Sequence, residues 1–454
     1  MAGERPKRQN LFIGKWIPQD RVAIMKWAKR RLEEYKVTHA EQYAKLVALF
    51  PETHSVDEEI QIFARNVSKI APATLLLPVV NDLAEAMGKE PDVAMVMCTM
   101  FNSDAEMNAR DFLFWLNITI RQAPRFIEDE NIQIPVPVGA LLTCAMGTPG
   151  GFAGFIKNRI NELFKAILDD YGVYLTSYAS TDVLTTDPDV VGGWFTPAAL
   201  NEMPNFDETF VCNPDAAHYG YRSFDEFFTR YLIEGPDGRR PIASPDDDMI
   251  IANACENAPY QVAYSVQRHD AFWIKSQPYS LQYILKGAEE YIERFVGGTV
   301  YQGFLSPHTY HRFHAPVSGE LKVAKVVPGT YFSQPYYTDS QANYIASQPY
   351  LAHMATRGVI IIDTKNPSIG HVAFIPIGMV DVSTVDLSPI TQRNTKQVVK
   401  GEGIGCFHFG GSSHLLIFER GVELAFDLQG IVPDPNGNDF LDVRSKLATV
   451  VPKE

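Results

Sequence analysis

The sequence predicts an α+β protein in which a helical N-terminal domain precedes a β-rich C-terminal domain. In the first half of the chain, apolar residues recur at the three- and four-residue spacing of amphipathic helices. After Pro241, short runs rich in Val, Ile, Phe and Tyr alternate with turn residues, which is typical of β-strands. A segment rich in Asp, Pro, Gly and Thr, 181–215, separates the two patterns. We therefore predict two domains, residues 1–195 and 196–454.

The helical domain is predicted segment by segment from this spacing, with Pro72 and Pro91 separating neighbouring segments. A weakly polar stretch, 136–155, is interrupted by prolines and glycines, whereas a membrane-spanning helix needs about 20 mostly apolar residues. We interpret that stretch as a buried helix followed by a loop. The other predicted helices are 21–35, 56–70, 78–87, 105–120 and 155–171.

The C-terminal domain begins with a short aromatic helix, predicted at 221–230, and one later helix, 281–296, interrupts the strands. Runs of β-branched and aromatic residues bounded by turns predict the strands. These strands are predicted at 299–304, 321–326, 358–363, 372–377 and 415–418.

Composition narrows the range of functions. The formal net charge is −14, so the chain gains nothing from counterion release and is not expected to bind nucleic acid. The N-terminus lacks the apolar core of a secretory signal, and no integral membrane segment is predicted. Five widely spaced cysteines contain no CxxC pair, which argues against a zinc site or a disulfide framework. We therefore expect a cytoplasmic protein.

A Gly-Gly-Ser-Ser segment, 410–413, is the first candidate for chemistry. A tight turn between two strands explains this tetrapeptide on its own, since Gly permits positive φ and Ser hydrogen-bonds locally. The chemical alternative is self-cleavage, in which the hydroxyl of Ser412 attacks the unobstructed carbonyl of Gly411. The resulting ester can eliminate to dehydroalanine, which hydrolyses to a pyruvoyl group with loss of ammonia.

Three histidines, His308, His311 and His314, lie within seven residues between two prolines. A lone histidine is usually structural, but this density favours acid–base chemistry. Metal binding is the competing function, and we expect no metal because the cluster contains no Asp, Glu or Cys. In a regular strand His311 and His314 would point to opposite faces, so they share one site only if the backbone bends.

Glu256 is the third candidate, because it is the one acidic residue in an otherwise uncharged segment, 251–259. A carboxylate that orients a histidine helps to activate many nucleophiles. An exposed position at a strand end is the simpler explanation for Glu256 alone. Together, however, an acid, several histidines and a Gly-Ser pair predict self-processing.

These segments resemble the phosphatidylserine decarboxylase family of pyruvoyl enzymes. Residues 305–314 are similar to its SPxxYHRxH block, and residues 400–413 are similar to its KGxxxGxFxxGGST segment, with Ser413 in place of Thr. Glu256 stands where the family usually has Asp, and a soluble fungal branch of the family shares this Glu. The resemblance covers about residues 50 to 430 and implies a phosphatidylserine decarboxylase-like catalytic domain at 196–454.

The resemblance also implies a mechanism. Cleavage between Gly411 and Ser412 would give α and β chains from one precursor, and Ser412 would become a covalent pyruvoyl cofactor. Glu256 would orient His314, and His314 would be the base that activates Ser412. His311 would donate a proton during decarboxylation.

The expected substrate is a small-molecule amino acid, aromatic and similar to L-tryptophan, because the fungal branch acts on such substrates and the chain shows no membrane anchor. Candidates for an aromatic pocket are Phe313, Phe407, Phe409 and Trp273, although core packing explains them equally well. Two alternatives stay open. One is decarboxylation of phosphatidylserine to phosphatidylethanolamine, and the other is a non-catalytic relative that binds lipid or a partner.

Overall fold

The computed structural model describes nine stretches of the chain, and the helical and sheet-rich regions follow one another as predicted. Helices make up most of the described residues from 21 to 175, and strands dominate the described residues from 250 onward. The predicted α+β class is confirmed, while the domain boundary at 195 stays a prediction. The described residues are 21–70, 74–102, 107–126, 136–190, 192–269, 279–335, 347–381, 384–434 and 439–452.

The N-terminal helices pack around large buried side chains, among them Trp27 and Trp115, whose rings meet edge to face at 5.6 Å. The predicted helices in this region are present with shifted ends. Their bounds are α1 Arg21–Thr38, α2 Ala40–Leu49, α3 Val56–Asn66, α4 Pro78–Lys89, α5 Pro91–Asn102, α6 Ala109–Thr119, α7 Pro137–Met146, α8 Pro149–Phe155 and α9 Asn158–Leu175.

The interpretation of residues 136–155 as one helix followed by a loop is wrong, because the stretch forms two helices, α7 and α8. The hydroxyl of Thr148 accepts a hydrogen bond from the backbone N–H of Gly151, and Pro149 occupies the first turn. A capping side chain followed by proline favours the start of a new helix, so the Gly/Pro-rich sequence continues in helical form.

Short helices connect the two regions and the strands. The predicted helix at 281–296 is wrong as a single element, because Gly287 has φ +80° and divides it. The bounds are α10 Pro197–Glu202, α11 Phe206–Thr209, α12 Phe224–Phe228, α13 Leu281–Ile284, α14 Ile292–Phe295, α15 Gln348–Met354 and α16 Ser388–Thr391.

Three antiparallel sheets form the C-terminal region. The largest has the order β2-β3-β11-β7-β6-β5-β9, and two three-stranded sheets have the orders β1-β13-β12 and β4-β10-β8. The strands are β1 Ile250–Ala252, β2 Ala258–Tyr264, β3 Thr299–Leu305, β4 Arg312–His314, β5 Gly319–Val327, β6 Arg357–Asp363, β7 His371–Met379, β8 Val385–Asp386, β9 Gln397–Val398, β10 Gly403–Phe407, β11 Gly411–Phe418, β12 Glu423–Phe426 and β13 Lys446–Val451.

Strand β11 lies inside the large sheet between β3 and β7, and its two faces contact different cores. Leu415 and Ile417 belong to the cluster that includes the N-terminal helices, whereas Leu416 and Phe418 belong to a second cluster beneath the smaller sheets. Side chains alternate between faces along a strand, so Ser412 lies on the face of the second cluster. The predicted cleavage site therefore lies at the start of a strand that is buried along its whole length.

Candidate active site

Ser412 is enclosed at the start of β11. It lies opposite Leu305 of β3 and Gly378 of β7, its side chain is fully buried, and its hydroxyl has no hydrogen-bond partner. Leaving such a group unpartnered costs about 1–3 kcal/mol. Gly410, with φ +144°, adopts a backbone conformation that favours glycine, directly before the Gly411–Ser412 bond. A buried, unbonded hydroxyl beside a permissive Gly-Gly segment suits an attacking nucleophile.

His311 lies between β3 and β4 and is fully buried. Its ring stacks on Phe228 at 3.9 Å, and its Nδ1 lies 3.0 Å from the carbonyl oxygen of Thr309. Because a carbonyl only accepts, Nδ1 carries the proton and the unpartnered Nε2 is left as a free acceptor. Burial and the nearby guanidinium of Arg230 hold the pKa of His311 well below its usual range.

Arg230 fixes the loop that carries His311. It is almost fully buried, and its Nη2 donates to the carbonyl oxygens of His308 and Thr309 at 2.9 and 3.0 Å. Its guanidinium also lies 4.4 Å from the ring centre of Phe210. The cation thereby sets the orientation of the same carbonyl that selects the tautomer of His311.

His314 lies on β4 with both ring nitrogens occupied. Nδ1 is 2.9 Å from the carbonyl oxygen of Gly401, and the hydroxyl of Tyr310 lies 2.9 Å from Nε2. The Gly401 carbonyl can only accept a proton from Nδ1, whereas the Nε–H of Arg444, 3.1 Å from the same Nδ1, can only donate, so these two contacts favour opposite tautomers of His314. Burial, with the neighbouring Arg444, lowers the pKa of His314 to about 3, so the ring is neutral at pH 7.

The predicted contact between Glu256 and His314 is wrong. The carboxylate of Glu256 accepts hydrogen bonds from Arg240, at 3.3 Å from Nε and 3.2 Å from Nη2, and Arg240 also pairs with Asp442. Glu256 precedes β2 and neutralises a buried guanidinium there. The family match located the acid along the chain, but it carried no information about which cation lies beside it.

Of the three phenylalanines predicted to form a pocket, the structure separates one from the other two. Phe313 and Phe407 contact each other at 5.1 Å and are fully buried in the second core. Phe409 instead lines a cleft toward the N-terminal helices, where its ring meets Tyr171 at 6.0 Å. Only Phe409 therefore stays a candidate for substrate contact, and Trp273 lies outside the described residues.

The expectation of no metal stays a prediction. Ligand-type atoms of Asp386, Cys406 and His408 lie within 4.8 Å of one another. The Nδ1 of His408 is already bonded to Asp225 at 2.7 Å, and Asp386 accepts two bonds from Ser388. Burial raises the pKa of the Cys406 thiol to about 12, so the thiolate that metals prefer is disfavoured.

Sequence reasoning missed His414, two residues after Ser412 on the same face of β11. It is fully buried, and neither ring nitrogen has a hydrogen-bond partner. Its ring lies between Tyr301 and Phe374, with centres 5.9 and 5.8 Å away. A histidine inside an apolar strand gives no sequence signal that separates it from core, so only the structure identifies this unsatisfied group.

Replacing His414 with Leu is expected to stabilise the protein most at acidic pH. Burial lowers the pKa of His414 to about 3, whereas the unfolded histidine takes a proton below its ordinary pKa of about 6.5. The folded state therefore loses stability as pH falls from 6.5 toward 3, which amounts to about 2 kcal/mol at pH 5. The Leu variant has no histidine at this position, so its free energy of unfolding does not fall for this reason at acidic pH.

Chemical denaturation at pH 8 and pH 5, in a Ser412→Ala background that keeps one chain, measures the difference. His54, an exposed residue, supplies the control variant His54→Leu. If His414→Leu gained no more at pH 5 than at pH 8, the histidine would not be held neutral by burial.

Comparison with protein families agrees with the geometry. Two models of phosphatidylserine decarboxylase match this chain, at residues 224–430 and 77–203, and the first match contains His311, His314 and Ser412. The chain is also 40% identical to decarboxylase iboD of Amanita muscaria over 301 residues, which is 62% of this chain and 83% of that protein. The chain belongs to the phosphatidylserine decarboxylase family.

Other members of the phosphatidylserine decarboxylase family match to different extents. The L-tryptophan decarboxylase of Psilocybe cubensis is 32% identical over 360 residues, covering 75% of this chain and 80% of that protein. Phosphatidylserine decarboxylase proenzyme 3 of Schizosaccharomyces pombe is 30% identical over 234 residues, which cover 50% of this chain but only 22% of that proenzyme.

Membership in this family makes the protein a decarboxylase, as the sequence predicts. The family is pyruvoyl-dependent, and its "proenzyme" names indicate two chains from one precursor. Within the described part of the chain, none of the helices has the length and apolar character needed to cross a bilayer. The cytoplasmic location stays a prediction.

Proposed function

We propose that this protein cleaves itself between Gly411 and Ser412 and then decarboxylates a free aromatic amino acid, similar to L-tryptophan, to its amine. The observation that carries the self-cleavage is the buried, unpartnered hydroxyl of Ser412 next to Gly410 and Gly411. The relatives that match over most of their length, named decarboxylase iboD and L-tryptophan decarboxylase, support a small amino acid over a phospholipid.

The residues around position 412 suit a pyruvoyl cofactor. Its precursor hydroxyl is unbonded, and the Nε2 of His311 is a second buried polar atom without a partner. Native proteins keep few such atoms without a functional reason. When present, the pyruvoyl group would condense with the substrate amine and withdraw electrons from the bond to CO2.

During processing, His314 receives the proton of Ser412. Burial keeps its ring neutral, and the tautomer that carries its proton on Nδ1, toward the carbonyl of Gly401, presents Nε2 as the basic nitrogen. The hydroxyl of Tyr310 occupies Nε2 in the described conformation, so it must turn away before His314 can act. Glu256 has no direct part in this step, because its carboxylate is bonded to Arg240.

During decarboxylation, His311 moves one proton. Its free Nε2 takes the proton that the substrate ammonium must lose before the amine can react, and returns it to the carbon that has lost CO2. The depressed pKa of His311 works against the first transfer, since a weakly basic imidazole takes a proton from an ammonium group only uphill, but it favours the return step, since the imidazolium is a strong acid. No net proton is gained or lost by the histidine over one turnover.

A denaturing mass spectrum of the purified protein, combined with measurement of CO2 release, tests the proposal. We expect two fragments, residues 1–411 and a blocked chain that starts at position 412, and CO2 release from L-tryptophan. An intact chain without activity would refute it. Cleavage with CO2 release from phosphatidylserine vesicles but from no amino acid would establish the lipid substrate instead.

A further inference from the structure

A cleft of about 260 Å³ lies between the helical region and the large sheet. One wall is the end of helix α9, including Tyr171 and Gly172. The facing wall contains His408 and Phe409, with Asp381 beyond the end of β7. The cleft therefore joins two parts of the chain that are more than 200 residues apart.

The cleft lies next to the predicted cleavage site. Gly411 pairs with Met379 at the ends of β11 and β7, and Asp381 follows two residues later, past Val380, whose φ of +46° turns the chain at the end of β7. A methyl group of Val380 lies 3.5 Å from the position that a Cβ on Gly411 would take. Ser412 itself faces the second core, so a substrate attached at residue 412 reaches the cleft around the start of β11, past Gly411 and Val380.

Phe409 separates the cleft from His311. Its ring lies 5.6 Å from that of Phe228, which stacks on His311 at 3.9 Å. Cleavage after Gly411 would turn the segment carrying Phe409 into a chain end that is no longer bonded to residue 412. Displacement of Phe409 would then open a path between the cleft and His311.

The lining suits a flat aromatic side chain that carries a hydrogen-bond donor. Tyr171 and Phe409 supply aromatic surface, and Asp225 and Asp381 supply acceptor oxygens. Asp225 is bonded to His408 at 2.7 Å, and this carboxylate outweighs burial and raises the pKa of His408. Because Asp225 and His408 are bonded to each other, the lining residues offer no unpaired cation to an acidic side chain.

Asp381 also links the large sheet to the helical region. Its oxygens accept hydrogen bonds from the backbone N–H groups of Gly139 at 2.7 Å and Val138 at 3.2 Å, at the N-terminus of α7. Burial raises the pKa of Asp381 to about 7, against the effect of these two bonds. The cleft is therefore a built junction between the regions.

We propose that this cleft binds the substrate's side chain and selects aromatic side chains with a ring N–H or O–H group, such as indole. The inference rests on the proposed decarboxylase function. Pockets that accept drug-sized ligands span roughly 300–1,000 Å³, so a cleft of about 260 Å³ holds one amino-acid side chain but not two acyl chains.

Gly172 offers a sharp test. It lines the cleft, and a Cβ built on it would meet no neighbouring atom within 4 Å. Leu at this position would fill the cleft while also favouring the helix, since Gly is about 1 kcal/mol worse than Ala inside a helix. Ala166→Leu, at an exposed position of the same helix, is the matched control.

We expect Gly172→Leu to be cleaved at 411–412 like the wild type, because Gly172 lies on a helix apart from that bond. Its kcat/KM for L-tryptophan should fall at least tenfold, whereas Ala166→Leu should match the wild type. The kcat/KM of Gly172→Ala for L-tryptophan should be about threefold below that of the wild type. This variant replaces Gly172→Leu in the test if the Leu variant is not cleaved. For the wild type, kcat/KM should be higher for tryptophan than for phenylalanine or glutamate.

Two outcomes would overturn the assignment of the cleft. One is a cleaved Gly172→Leu variant whose kcat/KM for tryptophan stays within twofold of the wild type. The other is a wild type that prefers glutamate. If the wild type is cleaved but releases CO2 from no amino acid, the proposed function itself fails, whatever Gly172→Leu does.

Discussion

Ser412→Ala is expected to leave one intact 50.8-kDa chain and to lower decarboxylase activity by at least about 10³-fold. The Ala variant lacks the only atom that can attack the Gly411 carbonyl and become the cofactor. Removing an unpartnered hydroxyl from a buried strand also removes a polar atom that costs stability. The variant should therefore fold at least as well as the uncleaved wild type.

Ser413→Ala is the matched control, because Ser413 is adjacent but lies on the other face of β11. Its hydroxyl donates to the carbonyl oxygen of Gly303 and accepts from Gln302 at 3.0 Å, so the change costs some stability but should leave cleavage intact. Denaturing mass spectrometry measures whether the chain of each variant is cleaved at 411–412. Cleavage at 411–412 in Ser412→Ala would show that another group attacks that bond.

Much of the fold follows from hydrophobic spacing. Strands such as β6 and β7 are continuous apolar runs between turn residues, and they are buried along nearly their whole length. Helix α9 keeps its apolar residues on one face. In both cases the local pattern and the tertiary burial agree, which is why the class and order of elements were predictable.

What failed depended on backbone conformation or on distant contacts. The apolar spacing of 281–296 suggested one helix, but Gly287 adopts positive φ and the chain turns there. Glu256 was assigned to His314 by analogy, yet its nearest cation is Arg240, whose side chain approaches from an earlier segment. The position of Glu256 in the sequence does not determine which side chain its buried carboxylate contacts.

The cleft could not have been predicted from sequence spacing. Its walls come from α9 and from residues next to β11, and they meet where the helical region packs against the large sheet, as the contact between Tyr171 and Phe409 shows. Phe409 was a candidate for substrate contact together with Phe313 and Phe407, since all three are aromatic residues near the motifs. The three side chains separate because Phe313 and Phe407 point into the second core, whereas Phe409 packs in the core that includes the N-terminal helices.

His311→Gln is expected to leave self-cleavage intact and to lower kcat for decarboxylation by about 10²–10⁴-fold, the usual contribution of a positioned acid–base group. The amide can accept a hydrogen bond at the position of Nε2, but it cannot carry a proton between the ammonium and carbon. KM should change little, because His311 is fully buried and stacked on Phe228.

His371→Gln is the matched control, because His371 is another buried histidine of the same fold, at the opposite end of β7 from Met379. Its Nδ1 is bonded to Glu419 at 2.8 Å, so its loss affects stability at a distance from the site. A cleaved His311→Gln enzyme with the kcat of the wild type would assign the proton transfer to another group. Loss of cleavage in His311→Gln would instead assign His311 a role in the processing step.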